Sequence, residues 1–246
     1  MAAVLCFSGV DPSGGAGLIA DIETLHHLGV TNVAIPTAMT AQNSHQAQGF
    51  WPTEPVVMRQ MIDTLLADKL PITVIKIGMI GNLSVLEQIL YAIEQLPNAK
   101  VIYDPVLLAS AGNALVEPEL QQPIGERLLP LCELITPNHY EQQVFAPFLI
   151  AICHQNPPAQ LLTGGHGQHN QQIISQLKAA GYRTAFIHPR LAVDVRGTGC
   201  MLSSAIAGYL CLGQDLRQAI QSAHQFAHHA IRQSYDFGQG SRRAMR

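Results

Sequence analysis

The alternation of short β-rich runs with stretches of helical periodicity is the sequence feature that most constrains the fold. Residues 3–7 form an apolar run typical of a buried strand, and Leu18, Ile22 and Leu25 then recur at the spacing of one helix face before Gly29. Further strand-like segments lie at 33–39, 73–77, 101–103, 134–136 and 160–162, and helical ones at 55–66, 83–96, 198–212 and 216–234. Strand, crossover helix and strand in repetition predict an α/β fold with a largely parallel central sheet and helices on both faces.

Two parts of the chain fit this alternation less simply. Residues 171–180 have helical periodicity, but the following Gly181, Tyr182 and Arg183 are equally consistent with the turn of a β-hairpin. The end of the sequence, 238–246, is basic, and we expect it to be a solvated, mobile tail. Because no repeat, low-complexity tract or linker divides the sequence, we expect one domain over 1–246.

Composition excludes several classes of function. Of the 246 residues, 48% are hydrophobic and 13% are charged. The hydrophobic fraction is high enough to form a substantial buried core. The net charge of −3 offers no electrostatic footprint for nucleic acid, so we expect no nucleic-acid partner. Five cysteines without a CxxC pair suggest neither a disulfide framework nor a zinc cluster. With no apparent signal peptide or membrane span, we expect a cytoplasmic protein without a membrane partner.

The strongest local motif is Gly197-Thr198-Gly199-Cys200, which follows Arg196 and precedes a run of small and apolar residues. Glycines at the start of a helix let free backbone N–H groups converge, and the helix dipole adds positive charge, which suits a phosphate. Cys200 lies in the first helical turn, where we expect its pKa to be lowered. The alternative is an ordinary glycine turn that caps a helix.

A second glycine-rich segment runs from Gly9 to Gly17 and is neither of the common nucleotide loops. No Gly-Lys-Ser/Thr follows, as a Walker A loop requires, and no acidic residue ends the next strand, as a dinucleotide fingerprint requires. Asp11 and Asp21 flank this turn and are candidates for gripping a polar substrate.

Asp104 and Glu141 each follow a predicted strand and are candidate magnesium partners, because Mg²⁺ prefers a few carboxylates and completes its shell with water and substrate phosphates. Taken singly, each is equally consistent with a helix cap or a solvated loop charge.

Together these motifs resemble the hydroxymethylpyrimidine/phosphomethylpyrimidine kinases, a branch of the ribokinase-like small-molecule kinases. The resemblance is carried, in the family's order, by Gly9-Val-Asp-Pro-Ser-Gly-Gly-Ala-Gly-Leu-Ile-Ala-Asp21, Thr40-Ala-Gln-Asn43, Ile75-Lys-Ile-Gly-Met79, Asp104-Pro-Val106, Ile135-Thr-Pro-Asn138 with Glu141, Gly164-Gly-His166 and Gly197-Thr-Gly-Cys200. It implies a three-layer α/β/α sandwich and the use of ATP and Mg²⁺ to phosphorylate a small pyrimidine alcohol in thiamine synthesis. It also implies a homodimer.

The resemblance implies a role for each matching residue. Asp21 and Gln42 would hydrogen-bond the aminopyrimidine, Met79 and Val106 would pack on its ring, and Gly9 would belong to the same pocket. Gly197 to Cys200 would form the anion hole, with Cys200 as the base toward the hydroxyl. Asp104 and Glu141 would hold magnesium or its waters. The residues that would approach the nucleotide are Asn138, Thr163, Gly165 and Arg196.

The sequence departs from the family pattern where lysines are usual. Thr163 stands before Gly-Gly-His, Ser110 after the Asp-Pro-Val strand, and Val193-Asp-Val-Arg196 replaces Lys-Asn-Thr-His. Loss of a positioned charge can lower a transfer rate by about 10²–10³. A pyrimidine-binding protein without catalysis therefore stays open as one alternative. A pyridoxal or pyridoxine kinase is the other, because that ring also bears a hydroxymethyl group.

Overall fold

A nine-stranded sheet forms the centre of the computed structural model, which describes residues 2–108, 116–154, 157–164 and 171–246. The strands are β1 (Ala3–Val10), β2 (Thr31–Gln42), β3 (Ala47–Pro52), β4 (Ile72–Ile77), β5 (Lys100–Tyr103), β6 (Leu134–Ile135), β7 (Ala159–Leu162), β8 (Gln172–Ala179) and β9 (Tyr182–Pro189). A separate pair is formed by β10 (Val195–Arg196) and β11 (Arg242–Arg243). The helices are α1 (Gly17–His27), α2 (Pro55–Ala67), α3 (Leu83–Gln95), α4 (Gln121–Pro123), α5 (His139–Ala151), α6 (Thr198–Cys211) and α7 (Leu216–Arg232).

The sheet order is β3-β2-β1-β4-β5-β6-β7-β8-β9. Strands β2, β1, β4, β5, β6 and β7 pair in parallel, while β3 and the β8–β9 hairpin add antiparallel edges. The predicted parallel sheet is therefore confirmed. Residues 171–180 form a strand of the hairpin, which settles the open choice between helix and hairpin there.

Two apolar clusters cover the two faces of the sheet. One joins the strands to α2, α3 and α5, and the other joins them to α1, α6 and α7. Because each face is buried under helices, the central strands read as continuous apolar runs rather than as alternating ones. This arrangement is the predicted three-layer sandwich. Within the described ranges, none of the helices combines the length and the apolar character that a membrane span requires.

The basic end of the chain is packed rather than solvated, contrary to the sequence expectation. Strand β11 pairs with β10 directly before Gly197. Arg243 forms an ion pair with Glu23 of α1, and Arg246 Nε lies 3.4 Å from the same carboxylate. The tail was misjudged because its acidic partner lies more than 200 residues away in sequence.

A buried ion pair links β4 to α1. Lys76 Nζ lies 2.9 Å from both carboxylate oxygens of Asp21, and both side chains are fully buried. Ser204 of α6 donates a hydrogen bond of 2.7 Å to the same carboxylate. Burial is the largest single effect and lowers the pKa of Lys76. The charge and hydrogen bond of Asp21, together with the smaller contributions of Cys200 and Asp104, outweigh it and raise the pKa. The lysine therefore stays charged, and three elements of the fold meet at one carboxylate.

We predict that Lys76→Met destabilises the protein more than the double variant Lys76→Met/Asp21→Asn. Removing the lysine alone leaves an uncompensated carboxylate in the interior, which costs about 3–5 kcal/mol, whereas the double variant leaves a neutral amide. Urea denaturation of both variants measures the difference in the free energy of unfolding. Equal, small losses in both variants would contradict a structural role for the pair.

Candidate active site

A cavity of about 1050 Å³ opens at the carboxyl ends of the parallel strands. Its wall includes the ends of β1 and β2, the loops after β4 and β5, the start of α6, and parts of β9 and α7. The predicted site residues that line it are Gly9, Gln42, Met79, Asp104, Val106, Asn138, Glu141, Thr163, Arg196, Gly197, Thr198, Gly199 and Cys200. Ligands of parallel α/β sheets bind at this edge, so the predicted location of the site is supported by the cavity.

Gly197 makes the turn that starts α6. Its φ of 73° lies in the left-handed region, and a Cβ there would stand 2.1 Å from the carbonyl oxygen of Gly15. Only glycine fits both conditions. The next residues, Thr198 and Gly199, line the cavity with the first N–H groups of the helix, which have no acceptor within the helix. This geometry is suited to binding a phosphate.

The first glycine-rich segment packs backbone against backbone at the same place. Gly17 has a φ of 61°, and a Cβ on it would lie 2.2 Å from the carbonyl oxygen of Gly9. Gly9 in turn leaves room for Met79, whose sulfur would be 2.9 Å from an added Cβ. The glycines therefore let two turns and one side chain approach more closely than any larger residue would allow.

The side chains of Met79 and Val106 form an apolar wall. They belong to a small cluster with Ala38, Ala47 and Phe50, separate from the two main clusters. The backbone of Met79 is fixed by Thr37, whose Oγ1 donates a hydrogen bond of 2.5 Å to the Met79 carbonyl oxygen. A flat heterocycle would fit against such a surface, as the resemblance implies for these two residues.

Cys200 lies in the first turn of α6, as predicted, but its pKa is shifted in the opposite direction to the prediction. Burial raises the pKa of the thiol to about 12, and the carboxylates of Asp104 and Asp21 raise it further. Lys76 and the backbone N–H of Gly17 lower it without reversing the shift. The helix N-terminus alone was a poor guide, because the thiol lies above two buried carboxylates. Cys200 is thus a protonated thiol at neutral pH.

The predicted contact of Asp21 with a substrate is corrected by the structure. Its carboxylate is fully buried, already accepts hydrogen bonds from Lys76 and Ser204, and does not line the cavity. Asp21 instead acts on the site through its charge, which adds to the effects of burial and Asp104 in raising the pKa of Cys200. Gly165, predicted near the nucleotide, lies outside the described residues.

Arg196 was predicted to approach the nucleotide, but in the structure its guanidinium contacts Gln42, Asn43 and Asp11. Nη2 donates a hydrogen bond of 2.5 Å to Oε1 of Gln42 and lies 3.3 Å from a carboxylate oxygen of Asp11, while Nη1 donates to the carbonyl of Asn43. Asp11 is fully buried and Arg196 is nearly so. The arginine therefore cannot replace a missing lysine without leaving these partners.

Asp104, directly after β5, and Glu141, in α5, both line the cavity. Asp104 accepts hydrogen bonds from Thr136 at 3.2 Å and Ser203 at 3.0 Å, and burial raises its pKa. Glu141 closes a capping box with Asn138, each accepting from the other's backbone N–H. Burial also raises the pKa of Glu141, to about 7, with a further upward contribution from Asp104. Because burial disfavours the charge of both carboxylates, a bound cation would stabilise their ionised forms.

The cavity is also lined by histidines whose grouping the sequence did not predict. The rings of His188 and His224 stack with centroids 4.6 Å apart, and His228 lines the same cavity. Burial lowers the pKa of His224 to about 3, with a smaller contribution from His188, so both rings are neutral at physiological pH. No pattern in the sequence connects β9 to α7, so only the fold brings these side chains together. Thr163, at the end of β7, lies at the same cavity and bonds to the carbonyl of Pro137.

Comparison with known proteins shows which family has this sequence and fold. A family model for phosphomethylpyrimidine kinase matches residues 11–244. The chain belongs to the phosphomethylpyrimidine kinase family. The hydroxymethylpyrimidine/phosphomethylpyrimidine kinase of Aquifex aeolicus is 31% identical over 248 residues, covering 96% of each chain, and that of Haemophilus influenzae is 30% identical over 254 residues, covering 96% of this chain and 93% of that one. The thiamine biosynthesis bifunctional protein of Geobacter sulfurreducens is 32% identical, covering 96% of this chain but 50% of the longer protein.

Solved structures show the same kinase fold. A phosphomethylpyrimidine kinase from Clostridium difficile superposes with a TM-score of 0.79 at 26% identity, covering 94% of this chain and 100% of that one. An ADP complex of a Bacillus subtilis pyridoxal kinase superposes with a TM-score of 0.87 at 25% identity, covering 99% and 97%. The resemblance to the ribokinase-like kinases drawn from the motifs is thereby confirmed.

Within this phosphomethylpyrimidine kinase family member, Lys76 is the buried residue whose importance sequence analysis overlooked. The signal was present, because a lysine in the middle of the apolar strand 73–77 needs a partner in the interior. The identity of that partner could not be read from the strand, since Asp21 lies on another element.

Proposed function

We propose that this chain transfers the γ-phosphoryl group of ATP to the hydroxymethyl group of 4-amino-5-hydroxymethyl-2-methylpyrimidine, and a second phosphoryl group to the monophosphate that results. The observation that carries the proposal is that one cavity joins the apolar wall at Met79 and Val106, the amide of Gln42 and the helix start at Gly197. A ring placed on that wall would direct its alcohol toward Cys200 and the free N–H groups.

Phosphoryl transfer asks the protein mainly for alignment and for stabilisation of charge. The alcohol oxygen forms the new bond to phosphorus, the bond to the β,γ-bridging oxygen breaks, and ADP leaves. Because the transition state is loose, the hydroxyl keeps its proton until late and then passes it to an oxygen of the transferred phosphoryl group or to solvent water. A protonated Cys200 thiol therefore acts by hydrogen-bonding and positioning the alcohol, rather than as a thiolate base formed in advance.

Asp104 and Glu141 are the residues that would hold Mg²⁺ or its waters. Within the described ranges, no three His, Cys, Asp or Glu side chains are arranged to hold a metal. That is compatible with Mg²⁺, which relies on few carboxylates and on substrate phosphates. When bound, the ion would neutralise developing charge on the phosphates.

Two further proposals rest on family resemblance alone. The first is that the chain forms a homodimer, and the second is that it works in the cytoplasm. Sedimentation and cell fractionation would examine them.

We predict that the protein releases ADP when given magnesium-ATP and the hydroxymethylpyrimidine. Cys200→Ala should lower kcat by about 10²-fold and leave KM for the pyrimidine within about threefold, because the thiol acts on the alcohol and not on the ring. The exposed Cys153→Ala is the matched control.

Three results would revise the proposal. A larger kcat/KM for pyridoxal than for the pyrimidine would reassign the substrate. Pyrimidine binding in calorimetry without any turnover would indicate a binding protein. An unchanged rate in Cys200→Ala would remove the thiol from the mechanism.

We also predict that kcat/KM for magnesium-ATP falls as the pH drops through about 7, where Glu141 takes up a proton and loses the charge that attracts the cation. Tenfold more Mg²⁺ should move the midpoint to lower pH, because the cation competes with the proton. Glu141→Gln keeps an oxygen for the capping box and should lose this step, whereas the exposed Glu126→Gln should retain it. The same profile in Glu141→Gln as in the parent would rule out Glu141 as the titrating group.

A further inference from the structure

The carboxamide of Gln42 meets two different surroundings at its two ends. Gln42 ends β2 and lines the cavity, and its Oε1 accepts a hydrogen bond of 2.5 Å from Arg196. Among the residues that the structure describes, none accepts a hydrogen bond from its Nε2. One end of the amide is therefore engaged by protein, and the other is available to a ligand.

The chemistry of arginine decides which end is which. A guanidinium has five N–H donors, no acceptor, and a charge that it keeps at every physiological pH. The Gln42 atom that meets it must be the oxygen, because the NH₂ group would place donor against donor. The amide cannot turn over while Arg196 stays in place.

Arg196 is itself held firmly. Its guanidinium lies 3.3 Å from the carboxylate of Asp11 and donates to the carbonyl of Asn43. Asp11 is fixed in turn by two hydrogen bonds from Ser13, at 2.9 Å from the backbone N–H and 2.7 Å from the hydroxyl. Arg196 is 8% exposed and Asp11 is fully buried. Such a desolvated pair resists rearrangement, since either charge alone would be costly.

We propose that Arg196 is a positioning residue that fixes the amide of Gln42 with its NH₂ group toward the substrate, and so makes the pocket selective for rings with a hydrogen-bond acceptor at that point. This inference rests on the proposed function, in which the substrate is an aminopyrimidine alcohol. At the ring nitrogen beside the 4-amino group, a 4-aminopyrimidine presents an unprotonated acceptor. Its 4-oxo counterpart carries N–H at that nitrogen, which would face the amide donors.

A site built for one hydrogen-bonding partner rejects the wrong one strongly, because its own polar group is then left unpaired. Since Gln42 is only half-buried, we expect a preference of about 100-fold in kcat/KM for the 4-amino alcohol over the 4-oxo alcohol. This ratio is the appropriate readout, because a general loss of stability or activity cancels from it.

The test compares this ratio, and the dissociation constants of both alcohols by calorimetry, in the parent and three variants. Gln42→Glu keeps the contact with Arg196 but presents an acceptor to the cavity, so the ratio should fall below one. Arg196→Met/Asp11→Asn removes the donor and its counter-charge together, so the amide turns freely and the ratio should fall to less than about 10. Asp11→Asn alone keeps the guanidinium and should retain most of the preference.

An unchanged ratio in Gln42→Glu would overturn the assignment of Gln42. An unchanged ratio in the Arg196→Met/Asp11→Asn variant would overturn the positioning role of Arg196. If circular dichroism shows that this variant does not fold, the ratios of Gln42→Glu and Arg196→Lys decide instead. Lysine keeps the positive charge but cannot donate to Gln42 and Asn43 at the same time, so Arg196→Lys should reduce the ratio. Failure of the parent to bind or phosphorylate either alcohol would instead contradict the proposed function.

Discussion

The buried ion pair between Lys76 and Asp21 is the interaction on which the rest of the site depends. It joins β4 to α1, and through Ser204 it also joins α6, so three elements share one carboxylate. A charge pair in the interior gains little net stability over an apolar contact, but it tolerates few alternative arrangements. Its field also reaches Cys200, whose pKa would otherwise be higher still. Structure and chemistry are therefore coupled at this point.

Glycines allow close backbone packing next to the ion pair. The turn at Gly197 lies against Gly15, and Gly17 lies against Gly9, each with less space than one methyl group requires. These close approaches bring the segment from Gly9 to Gly17 and the turn at Gly197 together. The docked C-terminal strand β11 braces the residues directly before Gly197. The glycine turn at Gly197 and its close backbone contacts are thus present in a chain that lacks the lysines usual in the family pattern.

Much of the fold and the position of the cavity could be predicted from sequence, for physical reasons. Periodicity reports burial, so the parallel sheet and its helices were found, and glycine spacing located the turn at Gly197. The pKa of Cys200, the partner of Asp21 and the direction of Arg196 were wrong or missed. Each depends on side chains that are distant in sequence, such as Asp104 for Cys200 and Gln42 for Arg196. Local rules describe a helix terminus, whereas the charges beneath it are set by the tertiary fold.

A crystal structure of the protein with the hydroxymethylpyrimidine bound tests the central claim most directly. We predict that the ring lies on Met79 and Val106, with Gln42 Nε2 donating a hydrogen bond to a ring nitrogen. The alcohol oxygen should lie within about 3.5 Å of the Cys200 sulfur, within reach of a hydrogen bond. A ring bound among His188 and His224, with its alcohol far from Gly197, would contradict it.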